Sequence, residues 1–254
     1  MKNTPSLVTS SLSQGNQDII ISNIFKKIGT TNKFCVEFGF NSTDLEGGTG
    51  SNTANLIINN GWNGLLLDGD SENLDINLHR HHLTTGNICK IFKQYRVPIA
   101  PDYISIDVDS TDLWLYRATL EKYRPRLVSV EYNANFSIDE AITFPNDARE
   151  EWQGDKGYGA SLKALKLVGD KFGYSLIAIE KCLDLFFVRN DLWDMDSVPS
   201  LEHWGKYCLL TPHKPLRNPE RVNIFMDYEV YMKTNGDIEE SKRGARNIAE
   251  LRLT

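Results

Sequence analysis

The sequence predicts an α/β fold: a doubly wound, mostly parallel sheet with an antiparallel terminal strand and an irregular C-terminal appendage. Three observations predict it. Short apolar runs alternate with segments of helical spacing between residues 18 and 189. Two of those runs, 33–40 and 61–70, are joined through a polar glycine-rich loop and a helix, which is the order of a nucleoside-cofactor half-site. The last two runs, 174–180 and 185–189, follow each other so closely that a hairpin is expected, and antiparallel strands of this kind are common in mixed sheets.

Taken in order, residues 1–15 are Ser/Thr-rich, have no apolar signal core and read as a loose leader. Residues 18–28 place Ile21, Ile24, Phe25 and Ile28 near helical spacing, and Gly29 ends the helix. Cys35 and Val36 sit in an apolar run too short for a typical helix, so a strand is expected there. Gly47, Gly48 and Gly50 then allow backbone conformations that other residues resist. The helix that follows Gly50 offers free N–H groups to an anion or carboxylate. The second strand ends at Asp68, which can accept hydrogen bonds from a ribose diol. A short helix over 71–79, a third strand near 81–84 and a helix over 87–95 come next. Residues 103–109 form a strand, 113–123 a helix, and 127–133 another strand.

Residues 134–157 show little periodicity and carry Asp139, Glu140, Asp147, Glu150, Glu151 and Asp155. A stretch this long is expected to be a lid, a binding loop or a disordered segment. Residues 161–172 are helical with Gly173 as C-cap. Beyond Trp193 the pattern breaks, and Pro199, Pro212, Pro215 and Pro219 punctuate a polar, aromatic tail with a charged helix over 237–252. The expected organisation is a leader over 1–15, a sheet-and-helix domain over 16–194, and an appendage over 195–254. The appendage would pack back on the domain or form a homo-oligomer contact with another subunit.

Composition narrows the class. The 254 residues carry a net charge of −6, which argues against a broad nucleic-acid footprint. No apolar stretch approaches the ~20 residues of a membrane span. Cys35, Cys89, Cys182 and Cys208 are far apart and form no C-x-x-C pair, so they read as reduced thiols of a cytoplasmic protein.

The spacing is not G-x-G-x-x-G, and no G-x-x-x-x-G-K-[ST] occurs. A nicotinamide or ATP reading therefore loses its best support. Ligands of open parallel sheets bind outside the carboxyl ends of the strands. Asp107 and Asp109 end one predicted strand two residues apart, and Glu131 and Asn133 repeat that spacing on the next. Strand alternation would put each pair on one face. Such groups either share hydrogen bonds or surround a hard cation, and oxygen donors suit Mg²⁺, Mn²⁺ or Ca²⁺. His79-Arg80-His81-His82 reads as an exposed basic turn, with His82 the imidazole best placed to serve as a base. His203 and His213 lie in the tail, which could fold over the site. Trp152 and Tyr158 flank the acidic loop and could stack on a sugar or another ring.

These residues also carry a resemblance. Ser13-Gln14-Gly15-Asn16-Gln17-Asp18, Val36-Glu37-Phe38-Gly39, Ser51-Asn52-Thr53, Gly61-Trp62-Asn63-Gly64, Ser105-Ile106-Asp107-Val108-Asp109, Arg124-Pro125 through Glu131-Tyr132-Asn133, Tyr158-Gly159-Ala160-Ser161 and Phe186-Phe187-Val188-Arg189 run in order over residues 13–192. Together they resemble a branch of the FkbM-like methyltransferases. The resemblance implies a class I, Rossmann-like fold and methyl transfer from S-adenosyl-L-methionine, most often to a hydroxyl of a sugar or natural product. It places Glu37, Gly39, Asn52, Thr53, Asp68 and Asp107 at the cofactor. By analogy with cation-dependent O-methyltransferases of this fold, Asp107 or Asp109, with Glu131 and Asn133, would hold Mg²⁺ or Mn²⁺, in the order of preference Asp109, Glu131, Asn133, then Asp107. The expected catalytic set is Asp109 and Glu131, with His82 added from the histidine run. The expected partner is a small hydroxylated molecule, with neither nucleic acid nor membrane. Two alternatives stand beside it: N-methylation of an amine, which the acidic 139–155 loop would suit, and a non-catalytic binding or assembly subunit. The sequence departs from the family pattern in a long 41–50 loop with Asp44 and Glu46, and in Ser110-Thr111-Asp112 where relatives commonly carry Gly.

Overall fold

Seven strands form one sheet: β1 (Phe34–Phe38), β2 (Asn63–Asp68), β3 (Leu78–Arg80), β4 (Tyr103–Ile106), β5 (Leu127–Glu131), β7 (Tyr174–Ile179) and β8 (Asp184–Arg189), in the order β3-β2-β1-β4-β5-β8-β7. β6 (Ile142–Thr143) and β9 (Met226–Asp227) make a separate antiparallel pair. The computed structural model describes residues 12–47, 50–148 and 150–254. Most of the predicted leader, residues 1–11, lies outside the described residues, as do Gly48 and Thr49 of the glycine-rich loop and Arg149.

The short continuous apolar runs form central strands because helices cover both faces of the sheet. Alternate residues feed two layers. Cys35, Tyr103, Leu127 and Phe186 join the layer under α1 (Gln17–Ile28), which supplies Ile21, Ile24 and Phe25. Val36, Ile104, Val128 and Phe187 point the other way. There they meet α3 (Ile88–Gln94), α4 (Asp112–Leu120) and α5 (Leu162–Phe172). α5 starts where Ser161 caps the Ala164 N–H and stops at Gly173, whose φ of 77° is left-handed, as its sequence predicts.

The doubly wound, mostly parallel sheet is present, with one refinement. The reversed strand is β8, and it lies inside the sheet, antiparallel to both β5 and β7. The hairpin's first strand, β7, takes the edge.

Three other local expectations are corrected. The helix expected over 71–79 is a single 3-10 turn, Leu74–Ile76, because Asn77 adopts φ 57° and ends it. The third strand therefore begins earlier than 81–84. β4 stops at Ile106, three residues short of Asp109, because the Asp112 carboxylate takes the Val108 N–H at 2.7 Å and Asp109 turns left-handed at φ 61°. The 134–157 segment is no free lid over its first half. Phe136, Ile142 and Phe144 are buried in a cluster with Leu216, Val222, Phe225, Ala245, Ala249 and Leu253. Most of that cluster comes from the tail, including α7 (Ile238–Leu253), so the appendage packs back on this chain.

The described end of the leader is also tied down. The Asp18 carboxylate accepts the N–H groups of Leu12 and Ser13, and Ser51 N–H donates to the Leu12 carbonyl at 2.9 Å. A Cβ on Gly50 would sit 2.5 Å from Gln14 N, so the glycine is needed for the leader to cross here. No helix of the described residues is long and apolar enough to cross a membrane.

Candidate active site

The first motif is held together by Glu37. Its carboxylate, buried near the end of β1, accepts the backbone N–H groups of Asn52 and Thr53 and both hydroxyls of Ser51 and Thr53. The donors that sequence reasoning offered to a cofactor at this helix start are thus engaged by the chain's own acid. Burial raises the Glu37 pKa, and the Ser51 and Thr53 hydroxyls pull it back. Thr53 is fully buried, and its hydroxyl donates to Glu37. Asn52 likewise spends its side-chain amide on Ser105 and Asp184. Gly39 has φ 69°, and a Cβ there would lie 1.8 Å from the Asp107 carbonyl oxygen. Its glycine therefore admits the chain leaving β4.

Beside this motif the acids converge. One carboxylate oxygen each from Asp107, Asp109 and Glu131 lie within 4.8 Å of one another. The expected pairing of Asp107 and Asp109 on a strand face is not the reason, since both lie beyond β4. The left-handed turn at Asp109 brings them together instead. Two acids that sequence reasoning missed join them. Asp112 opens α4, and Asp184 stands directly opposite Glu131 in the β5–β8 pairing. Glu131 Oε2 and Asp112 Oδ2 are buried without a hydrogen-bond partner among the described residues. Both lie within 4 Å of the point where Gly159 would carry a Cβ, at 3.6 and 3.9 Å. Gly159 has φ 43° and donates its N–H to the Asp109 carbonyl, so the loop approaches the acids without a side chain in the way. The signal available in sequence for Asp112 was its place after Ser110-Thr111, and for Asp184 its place at the head of a strand.

Among the described residues, no ion pair reaches these acids. Burial first, then the neighbouring carboxylates, push Asp107 and Glu131 well above the carboxylate range. Burial raises Asp109 too. It takes Asp112 to about 7 against the Val108 hydrogen bond, and Asp184 to about 6 against those from Gln17 and Asn52. Concentrated oxygen-only donors, with Glu131 Oε2 and Asp112 Oδ2 orphaned, fit a hard divalent cation.

Asn133 does not belong to this donor set. Its amide donates to the carbonyls of Lys156 and Tyr158, and its oxygen accepts both the backbone and side-chain N–H of Asn135. It organises the loop. His82 is exposed, and its carbonyl accepts from Asn87. It follows the edge strand β3, three strands from β4, so the sheet spacing puts it roughly 14 Å from the acids. The structure therefore separates His82 from the acids with which it was expected to act. His79 and His81 are bonded to Asn77 and Tyr95. Asp68 sits at the end of β2 as expected. One of its oxygens accepts the N–H groups of Asp70 and Ser71, while the other has no partner among the described residues.

Three acids of the loop are paired with the tail. Arg252 makes a bidentate contact with Glu140, and Arg221 bridges Glu150 and the buried Asp155. Two surface cavities, about 550 and 350 Å³, lie away from the acid cluster: one beside Asp44–Gly47 and Ile58, the other between α1 and Trp62. The chemistry, not the larger void, marks the site.

No protein-family model and no curated protein matches the chain. Among solved structures it is similar to a provisionally named O-methyltransferase from Klebsiella pneumoniae, at 13% identity and TM-score 0.39, over 74% of this chain and 83% of that one. It is also similar to the MycE methyltransferase from the mycinamycin biosynthetic pathway in complex with Mg and SAH, at 12% identity and TM-score 0.41. That match covers 76% of this chain and 58% of the other, so the chain spans well under two thirds of the second structure's length.

Proposed function

We propose that this chain is an S-adenosyl-L-methionine-dependent methyltransferase that acts on a hydroxyl of a small molecule with the help of a divalent cation. The observation that supports this most is the acid cluster of Asp107, Asp109 and Glu131 at the carboxyl edge of the central strands, next to a β1–β2 half-site whose Asp68 keeps one oxygen free. The order of motifs over residues 13–192 favours the FkbM-like branch as the narrower placement.

Asp68 would hold the ribose diol of the cofactor. Glu37 positions the loop that the cofactor lies against, by fixing Ser51, Asn52 and Thr53. When bound, S-adenosyl-L-methionine supplies an electrophilic methyl group, and Mg²⁺ or Mn²⁺ supplies a Lewis acid that lowers the pKa of a hydroxyl. Asp109 and Glu131 would hold the cation with Asp107, and the buried carboxylates nearby can take up the proton that the hydroxyl loses. The scattered free cysteines suit a reducing, cytoplasmic setting. The N-methylation alternative keeps part of its electrostatic motive: Glu140, Glu150 and Asp155 are paired with arginines, while Asp139, Asp147 and Glu151 are in no ion pair among the described residues.

Titration calorimetry with S-adenosyl-L-methionine tests the reading. Asp68→Ala removes a charge-assisted acceptor worth about 1.5–3 kcal/mol, so affinity should fall about tenfold or more. A chelator should leave that affinity nearly intact while abolishing turnover. Absence of cofactor binding to the unaltered protein would favour the assembly-subunit alternative.

A further inference from the structure

We infer that Gln17 is a positioning residue of the cofactor half-site: through Asp184 and Asn52, its side-chain amide sets where the 51–53 loop stands. The inference rests on the methyltransferase reading and gives a role to the Ser13–Asp18 motif, which that reading leaves unused.

Residues 12–18 run between two anchors. At one, the Ser51 N–H donates to the Leu12 carbonyl at 2.9 Å, and a Cβ on Gly50 would sit 2.5 Å from Gln14 N. At the other, Asn16 Nδ2 donates to Glu180 Oε1 at 3.1 Å, and a Cβ on Gly15 would come within 2.8 Å of that same oxygen. The segment thus ties the loop after β1 to the turn before β8. Gln17, buried at the start of α1, is held at both ends of its amide. Its Oε1 accepts the Gly15 N–H at 2.7 Å, and its Nε2 donates to Asp184 Oδ2 at 3.1 Å. The first bond fixes which way round the amide faces, so the nitrogen meets the carboxylate.

Asp184 passes the constraint to the loop. The same Oδ2 accepts from the Asn52 side-chain amide at 3.2 Å, and that amide also donates to Ser105 Oγ at 3.0 Å. Ser105 accepts in turn from the Ser129 hydroxyl at 3.1 Å, so the Asn52 side chain is referenced to β4 and β5 as well as to β8. Gln17, Asn52, Ser105, Ser129 and Asp184 are all buried. Glu37 holds Asn52 separately, by its backbone N–H at 2.9 Å. The bond from β1 fixes the main chain of the loop, and the bonds from β4 and β8 fix the side chain. Asp184 also stands opposite Glu131, so the network ties the cofactor loop to the strand end that carries the acid cluster. Buried hydrogen-bond networks rigidify what they hold, and a loop ordered before its ligand arrives costs less to bind. Gln17 contributes that order and not a contact with the cofactor.

Calorimetry of the full chain with S-adenosylhomocysteine, together with hydrogen exchange of the ligand-free protein, tests this. Gln17→Met keeps the side chain's length and removes both amide bonds. It should weaken S-adenosylhomocysteine about fivefold and speed exchange at 51–53, with far-ultraviolet dichroism unchanged. Gln17→Glu keeps the acceptor for Gly15 but sets a carboxylate against Asp184. It should weaken binding too, and it serves if the methionine variant does not fold. In Asn52→Ala the link is already cut, so adding Gln17→Met should cost little more affinity. A merely structural Gln17 would instead give a lower urea midpoint with affinity intact. The inference is overturned if folded Gln17→Met binds S-adenosylhomocysteine as tightly as the parent, or if the losses from Gln17→Met and Asn52→Ala add in full. If the parent itself does not bind, the cofactor reading falls and takes the inference with it, a result distinct from tight binding by parent and variant alike.

Discussion

At Gly39 the need for glycine comes from the protein itself. The Asp107 carbonyl lies where a Cβ would go, and φ is 69°. Gly39→Ala should therefore cost at least about 2 kcal/mol through backbone strain and overpacking. Gly69→Ala, with nothing within 4 Å of the added carbon, is the near-neutral control. Urea unfolding of the two variants checks this. The acid cluster makes a second prediction at the same scale. A carboxyl whose pKa is raised on folding holds its proton longer in the folded chain than in the unfolded one, where the pKa is about 4. Stability from such groups is highest below that value and is lost as pH rises through about 6 for Asp184 and about 7 for Asp112. In chelator, Tm should fall between pH 5 and pH 8. Millimolar Mg²⁺ should flatten the fall, because a cation compensates the carboxylates. An identical slope with and without Mg²⁺ would place the cation elsewhere.

The loop that ends at Gly159 is shaped by an element far from it in sequence. Arg221 is 4% exposed and meets Asp155, 1% exposed, while also donating to Glu150 and the Gly157 carbonyl. Removing one partner of a buried pair strands the other, at about 3–5 kcal/mol. Arg221→Met should cost that much in denaturant titration and should open 146–154 to limited proteolysis. Protection of that stretch equal to the parent's would mean that the apolar cluster alone holds the loop. The same element explains why acidic residues at 139–155 read as a charged lid in isolation. Periodicity and charge are local signals, and the compensating arginines lie about 70–110 residues downstream.

For the molecule as a whole, the tail behaves as part of the core. Phe136, Ile142 and Phe144 have their apolar partners in residues 216–253, and Trp114 of α4 meets Tyr228 and Tyr231 edge to face. A chain ending at Asp194 should expose this surface. It should bind 8-anilinonaphthalene-1-sulfonate and lose near-ultraviolet dichroism while keeping most of its far-ultraviolet signal. A truncated chain that unfolds as cooperatively as the full one would show that the appendage is a separable unit.

What the sequence alone determined is the layered sheet and the identity of most acids along its carboxyl edge. Runs such as Tyr103–Ile106 and Leu127–Val130 carry apolar residues on both faces, the pattern of a strand covered on both sides. Asp68, Asp107, Asp109 and Glu131 were legible because each follows such a run closely. The tertiary structure decided which of the polar groups face each other. Asp109 joins the cluster through a left-handed turn, Asn133 leaves it because two carbonyls and Asn135 claim its amide, and Asp112 and Asp184 enter from separate elements. It also decided that β8 inserts between β5 and β7, and that His213, not His82, lies beside the loop that reaches Glu131. The physical reason is that burial, pairing and orphaned atoms depend on partners distant in the chain, whereas strand and helix patterns repeat within a few residues.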